Sequence, residues 1–159
     1  MDTNTPIRDI PDYGIRLDKN GRFWHKGAPV TNPKVHELFS RSLKRLDNGT
    51  YTLCIGPDSC IIEIEDTPYV VRRLNVTKAG GDGPLTVMIE LSDGTKEELD
   101  PATLSISRDN VLYCEVKGGE HSARFDRPPY MALAEYVVQT GRGFALQIGD
   151  KLFKIRERD

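Results

Sequence analysis

The alternation of apolar and polar positions predicts two stretches of the same kind in this chain. Residues 15–65 and 104–157 each begin with a short alternating strand and a polar turn, continue into an amphipathic segment behind a proline, and close with two strands. The closing strands match best, where GTYTLCI (49–55) aligns with RGFALQI (142–148). A pattern that recurs at a nearly constant offset predicts a repeated ββαββ unit.

A hairpin is predicted at the start of the first stretch. Alternating residues at 15–17 and 22–25 flank Asn20-Gly21. Asn-Gly is the strongest short hairpin signal, because both residues tolerate a positive φ angle. Successive strand residues point to opposite faces, so Trp24 and the phenylalanine before it are expected on different sides of the sheet.

An amphipathic helix is predicted over residues 33–46. Asn32 is a good N-cap, and Pro33 suits the first helical position, where its missing N–H is not needed. Gly49 is expected to end the helix in the left-handed conformation. The apolar residues of this segment fall on one inward stripe, formed by Val35, Leu38, Phe39, Leu43 and Leu46.

A second helix is predicted over residues 129–139, with Gly141 as its terminator. Its inward stripe consists of Tyr130, Leu133, Ala134 and Val137. Together with roughly ten strands, the two helices predict an α+β protein of two tandem ββαββ-like repeats with mostly antiparallel sheets.

The strands between the two stretches have no counterpart in the repeat. They are predicted at 69–76, 85–91 and 95–99, and they are expected to form a central segment that joins the halves. The predicted organisation is therefore a flexible lead-in (1–13), a first α+β repeat (14–77), a bridging hairpin (78–103) and a second repeat (104–159).

Charge and hydropathy narrow the classes of partner. The chain has 159 residues, 22 basic and 24 acidic, with a net charge of −2. Nucleic-acid binding usually requires a strongly basic face, so the balance disfavours a nucleic-acid partner. No apolar run approaches the length of a membrane span, and the polar N-terminus lacks the apolar region of a signal peptide. We therefore expect a cytoplasmic protein without a membrane partner.

The sequence offers little sign of catalytic or metal chemistry. Three cysteines without regular spacing predict free thiols rather than a disulfide framework. The histidines show no HxH, HxxxH or CxxC-type spacing, so we expect neither a metal site nor a cofactor.

Three segments of the first half resemble a bacterial domain-of-unknown-function family, number 1285 (DUF1285). They are GIRLDKNGRFWHKGAPV (14–30), VHELFSRSLKRLDNGTYTL (35–53) and IEIEDTPYVV (62–71). The resemblance implies a small soluble protein of two related α+β repeats, suited to binding a ligand or partner in bacterial signalling. It carries over no catalytic residue, since no activity is established for the family. The turn at 56–59, GPDS, stands where the family pattern has Thr-Pro-x-Glu.

These observations favour a non-catalytic ligand- or protein-binding module, with its site where the two repeats meet. The candidate ligand-binding residues are the aromatic side chains of Trp24 and Tyr69, the imidazole of His25 and the guanidinium of Arg72. The alternative is a small enzyme whose site is assembled between the repeats. A cleft that joined His25 to a cysteine and a carboxylate would favour the enzyme.

Overall fold

The computed structural model describes residues 10–78 and 85–158 of the chain. It divides into two compact units, Met1–Pro68 and Tyr69–Asp159, each of which is described by itself. Both units are built mainly of β-strands and each contains one α-helix, so the predicted α+β class is confirmed. The boundary after Pro68 differs from the predicted one, because the strand that begins at Tyr69 pairs within the second unit.

Unit 1 is one mixed sheet with a helix. Its elements are β1 (Asp12–Leu17), β2 (Phe23–His25), β3 (Ala28–Pro29), α1 (Pro33–Arg41), β4 (Leu43–Arg45), β5 (Tyr51–Ile55) and β6 (Asp58–Ile64). The strands lie in the order β3-β2-β1-β6-β5-β4. All neighbours are antiparallel except β1 and β6, which are parallel.

One face of this sheet forms the core of unit 1. Alternation along the strands places the buried residues on this face, and α1 packs on it through Phe39, whose ring lies edge-on to Phe23 at 5.4 Å. The buried members are Leu17, Phe23, Leu53, Cys60 and Ile62. The residues between them along each strand therefore point to the opposite face.

The predicted hairpin at the start of the chain is confirmed. The N–H of Asp18 donates to the carbonyl of Arg22 at 2.9 Å, and Gly21 takes a φ of 78°. The strand begins earlier than the predicted end of the lead-in, at Asp12, and Ile10 is already buried. The rest of the predicted lead-in, residues 1–9, lies outside the described residues.

The first helix begins as predicted but ends five residues early. The side-chain oxygen of Asn32 accepts from the backbone N–H groups of residues 34 and 35, as the N-cap prediction requires. The prediction of helix to residue 46 is wrong, because Leu43–Arg45 is β4 and pairs with β5. Gly49, with a φ of 91°, lies in the turn between these strands rather than at a helix end. Asn48-Gly49 thus acts as a second hairpin signal.

The shorter helix also changes which residues face the core. Leu38 is 46% exposed, so its place in the predicted inward stripe is wrong. The ring of His36 instead lies 5.0 Å from that of Phe23, and its Nε2 is 2.9 Å from the carbonyl oxygen of Gly21. Ser40 is the buried residue of the helix.

Unit 2 contains two sheets and a short helix. Its elements are β7 (Tyr69–Lys78), β8 (Leu85–Leu91), β9 (Lys96–Glu98), β10 (Ser105–Ser107), β11 (Leu112–Val116), β12 (His121–Phe125), α2 (Arg127–Ala134), β13 (Val137–Thr140), β14 (Gly143–Ile148), β15 (Lys151–Lys154) and β16 (Arg156–Arg158). A 3-10 turn, Pro101–Thr103, precedes β10.

The larger sheet of unit 2 takes in the strands that the sequence assigns to a bridge. Its order is β16-β10-β11-β12-β7-β8-β9, and the smaller sheet has the order β13-β14-β15. β7 pairs in parallel with β12 and antiparallel with β8. The middle strands are therefore part of the second unit. Residues 79–84 of the predicted loop between β7 and β8 lie outside the described residues.

The second helix is shorter than predicted for the same reason as the first. It ends at Ala134, and the residues predicted as its last turn form β13, which pairs with β14. Gly141, with a φ of 52°, lies in the turn between these two strands. Pro129 and Leu133 are the buried residues of α2, whereas Ala134 is exposed, contrary to the predicted stripe.

All three cysteines are free, as predicted. Cys54 pairs across the sheet with Ser59, whereas Cys60 pairs with Leu53, so the two thiols of unit 1 point to opposite faces. Neither helix in the described part of the chain has the length and hydrophobicity needed to cross a membrane.

Candidate functional site

A row of one aromatic and two charged side chains crosses the sheet of unit 1 on the face away from its core. Arg16 on β1 lies opposite Trp24 on β2 and opposite Glu63 on β6. Adjacent strands lie about 4.8 Å apart, so residues in register on one face are close neighbours. Strand pairing therefore lines up an aromatic ring, a guanidinium and a carboxylate; this set is called the Trp24 row below.

The indole of Trp24 is held in place by polar contacts. Its Nε1–H donates to Asp18 Oδ2 at 2.8 Å, and Arg16 Cζ lies 5.3 Å from the ring centroid. The guanidinium also approaches a second carboxylate, with Arg16 Nη1 3.7 Å from Glu65 Oε2. A cation over an aromatic ring is attracted by the electron-rich face.

The Trp24 row lines a cleft of about 210 Å³ in unit 1. Its charged walls are Arg16 and the carboxylates of Asp12 and Glu63, and its apolar walls include Trp24 and Ile61. Gly14 and Gly27 leave further parts of the wall without side chains. The cleft thus offers a cation, two anions and apolar surface within a small space.

Asp18 remains ionised beside this cleft. Burial by itself would raise the pKa of its carboxyl group, but hydrogen bonds from the Trp24 indole and from the backbone N–H groups of Arg22 and Asn20 outweigh that effect. The nearby charge of Arg16 also lowers the pKa of Asp18, which therefore lies below its ordinary value of 3.8. A charged Asp18 is the stronger acceptor for the indole N–H.

Of the four candidate residues from the sequence, Trp24 lines this cleft. His25 is exposed and pairs with Ile15, so it points away from the Trp24 row. Tyr69 and Arg72 belong to unit 2, and their surroundings are described next.

Tyr69 is a buried residue of unit 2 rather than a surface-exposed aromatic. Its ring lies edge-on to His121 at 5.4 Å, and Lys117 Nζ lies 4.9 Å from its centroid. That ammonium group also pairs with Asp93 Oδ2 at 2.8 Å. Burial alone would raise the pKa of Asp93, but hydrogen bonds from Lys117 and Thr95 and the charge of Lys117 hold it below 3.8.

Arg72 has a structural partner in unit 2. Its Nη1 lies 2.7 Å from Asp126 Oδ2, and the N–H of Asp126 donates to the carbonyl of Val71 at 3.0 Å. Asp126 immediately precedes α2. The ion pair therefore connects β7 to the start of the helix.

Cys60 and Cys114 lack the surroundings of a nucleophile. Burial raises the pKa of the Cys60 and Cys114 thiols above 9.0, and nearby carboxylates strengthen this effect at Cys114. A nucleophilic cysteine needs the opposite shift. Within residues 10–78 and 85–158, no group of three His, Cys, Asp or Glu side chains is arranged to hold a metal ion.

A second cleft, of about 510 Å³, lies in unit 2 and carries none of the predicted site residues. Its charged lining consists of Arg142, Lys154, Arg156 and Glu157, and Phe144 adds an aromatic ring. Sequence reasoning missed it because these residues come from three strands and a turn. It missed Arg16 and Glu63 for a similar reason, since the pairing of β1 with β6 is non-local.

Comparison with solved structures identifies proteins of the same fold. A DUF1285 family protein from Silicibacter pomeroyi DSS-3 superposes with a TM-score of 0.72 and 19% identity, over 96% of this chain and 87% of that one. A DUF1285 family protein from Shewanella baltica OS155 gives a TM-score of 0.57 and 19% identity, over 77% and 91% of the two chains. No family model and no curated protein matches the chain. The chain therefore has the fold of DUF1285 family proteins, which supports the resemblance seen in its sequence.

Proposed function

We propose that this chain is a non-catalytic binding module whose unit 1 cleft takes a small zwitterionic ligand of amino-acid size. The observation that carries the proposal is the Trp24 row, which sets an aromatic ring, a guanidinium and a carboxylate side by side on one sheet face. These are the groups that recognise an apolar body, a carboxylate and an ammonium group respectively.

The chemistry of the cleft suits a ligand with two opposite charges. Arg16 can form paired hydrogen bonds to a carboxylate, while Asp12 and Glu63 can accept from an ammonium group. Ile61 and Trp24 supply apolar contact area. The volume, about 210 Å³, lies below the usual range of drug-sized sites, roughly 300–1,000 Å³, so the ligand is correspondingly small.

The two units are proposed to be structural repeats, as the sequence pattern predicts. In each, three antiparallel strands lead to a proline-containing helix, and the last of the strands that follow lies parallel to the first: β1 with β6 in unit 1, and β10 with β16 in unit 2. Unit 2 also has a cation on an aromatic ring, with Arg158 Cζ 3.9 Å from the centroid of Tyr113. The pairing that the two units share supports descent from one duplicated unit.

A non-catalytic binding role is consistent with the signalling role that the family resemblance implies. The alternative of a small enzyme stays a prediction that no observation here favours. His25 points away from the cleft, and burial raises the thiol pKa of both Cys60 and Cys114.

Isothermal titration calorimetry against the common amino acids tests the proposal. We expect saturable binding of at least one of them, and weaker binding of acetate and methylamine, each of which offers one charge. Arg16→Met and Glu63→Gln should each weaken binding about tenfold, because each removes a charge-assisted hydrogen bond. Arg108→Met, at an exposed turn residue of unit 2, is the matched control and should bind as the original chain does.

Two results would contradict the proposal. One is the absence of heat of binding for every amino acid. The other is binding that Arg16→Met and Glu63→Gln leave unchanged while circular dichroism shows that both variants are folded.

A further inference from the structure

The unit 2 cleft forms where the chain passes from one sheet of that unit to the other. The N–H of Ile155 donates to the carbonyl of Phe144 in the three-stranded sheet, at 3.0 Å. The next N–H, that of Arg156, donates to the carbonyl of Leu104, just before β10 of the seven-stranded sheet, at 3.2 Å. Two consecutive residues thus bond to two different sheets, and the space beside this crossing is the cleft of about 510 Å³.

The crossing brings cationic side chains together. Lys154 is the last residue of β15 and Arg156 the first of β16, and Arg142 comes from the turn before β14. Against these three cations the lining holds one carboxylate, that of Glu157. The cleft is therefore locally positive although the whole chain has a net charge of −2.

These cations are available to a ligand. In the described part of the chain, no carboxylate forms an ion pair with Arg142, Lys154 or Arg156. By contrast, Arg72 in the same unit is held by Asp126 at 2.7 Å. Unpaired cations that converge on one concave surface attract and concentrate anions there.

An aromatic ring completes the cleft. Phe144 is 51% exposed at the start of β14, and the hydroxyl-bearing Thr140 lies on the adjacent strand. An exposed phenylalanine ring gains from being covered, and a planar ring stacked on it removes apolar surface from water. Exposed aromatic and basic side chains in one groove are the combination that holds a base together with its phosphate.

We propose that this cleft binds a mononucleotide, with the phosphate on the basic side chains and the base on Phe144. Its volume of about 510 Å³ suits a single small molecule, within the usual range for ligand sites. A nucleic-acid strand is a poorer fit, because the chain's net charge of −2 repels a polyanion outside the cleft. The site is separate from the unit 1 cleft and does not depend on what that cleft binds.

Calorimetry with AMP, GMP, CMP and UMP, inorganic phosphate and a single-stranded oligothymidylate tests this inference. At least one mononucleotide should bind saturably and more tightly than phosphate, with affinity falling as salt is raised. Arg142→Met combined with Arg156→Met should weaken binding about tenfold or more, since a hydrogen bond to a charged group contributes this order of affinity. Phe144→Leu should reduce mononucleotide affinity while leaving phosphate affinity unchanged.

Control variants distinguish nucleotide binding in the unit 2 cleft from binding in the unit 1 cleft. Arg22→Met, an exposed arginine of unit 1, and Arg16→Met should both leave nucleotide binding unchanged. The amide signal of Gly143 should shift in a ¹H–¹⁵N spectrum during the titration, since this residue lines the cleft.

Four results would overturn the inference. Absence of saturable binding by every mononucleotide, or binding that survives the double arginine substitution in the folded protein, would remove the site. Phosphate that binds as tightly as the mononucleotides would remove the role of Phe144. An oligothymidylate that binds more tightly than any mononucleotide would assign the cleft to single-stranded nucleic acid instead.

Discussion

At the scale of residues, Trp24 is held from both an edge and a face. Its Nε1–H donates to Asp18, and the Arg16 guanidinium lies over its ring. The ring is therefore fixed before any ligand arrives, so little side-chain freedom remains to be lost on binding. The chain has a single tryptophan, which makes this residue directly observable by spectroscopy.

Trp24→Phe is expected to lower the free energy of unfolding by about 1 kcal/mol, the usual contribution of one hydrogen bond, beyond the effect of the smaller ring. The physical reason is the loss of the bond from Nε1 to Asp18 Oδ2. A double-mutant cycle with Asp18→Asn, measured by urea unfolding, isolates this term. A coupling energy near zero would show that the indole and the carboxylate do not stabilise each other.

The ion pair of the buried Asp93 with the half-buried Lys117 makes the stability of unit 2 depend on acid pH. The folded-state pKa of Asp93 is lowered, so its contribution is fully present above the unfolded value of about 3.9. It is lost as the pH falls through the lower folded-state pKa. We expect the free energy of unfolding to decline from about pH 5 downwards.

Asp93→Asn should be less stable than the original chain by about 2 kcal/mol at pH 7. The substitution replaces the carboxylate that pairs with the Lys117 ammonium by a neutral amide. It should also show a shallower loss of stability between pH 5 and pH 2.5. Urea unfolding across this range is the measurement, and Asp109→Asn, at an exposed turn, is the control. Equal acid slopes for Asp93→Asn and the original chain would rule out this source of pH dependence.

At the scale of elements, local signals predicted the strands and hairpins better than the helix ends. Strand β8 has the predicted bounds, and the Asn20-Gly21 hairpin is present. Both helices are shorter than predicted, because apolar residues of the following edge strand, such as Leu43 and Val137, continue the helical spacing by chance. A stripe of only a few apolar residues cannot distinguish the 3.6-residue period of a helix from the two-residue period of a strand.

Local sequence signals predicted even less of the candidate site. The sequence singled out Trp24 for its large aromatic side chain, and the structure places it in a cleft. Arg16 could have been inferred from the hairpin register, which sets it opposite Trp24. Glu63 could not, because its neighbour Arg16 lies 47 positions earlier and only the parallel pairing of β1 with β6 brings them together.

Adjacent substitutions in α1 distinguish the observed helix from the predicted one. Phe39→Ala should lower the free energy of unfolding by about 2–3 kcal/mol, somewhat less than a fully buried phenylalanine, since its ring is partly buried against Phe23. Leu38→Ala should change it by less than about 0.5 kcal/mol, because the side chain is 46% exposed.

Chemical denaturation of both variants at one pH provides the test. Similar losses of stability for the two substitutions would indicate that the helix presents Leu38 to the core, as the longer helix requires.

At the scale of the whole molecule, the two units present clefts of opposite charge balance. In unit 1, Arg16 lies opposite Trp24 and Glu63; in unit 2, Ser105 lies opposite Tyr113 and Arg156. Glu63 in unit 1 and Arg156 in unit 2 thus each pair with a residue that lies opposite an aromatic side chain. If the units are duplicates, as proposed, substitution at corresponding positions has given each its own ligand chemistry.

The central claim is that the Trp24 row binds a small zwitterion, and the single indole N–H signal of Trp24 tests it most directly. In a ¹H–¹⁵N spectrum of the whole chain, titration with the common amino acids should move this signal saturably, together with the amides of Gly14 and Gly27, which line the same cleft. The movement should be lost in Arg16→Met. An indole signal that stays in place for every amino acid, at concentrations up to their solubility, would contradict the account.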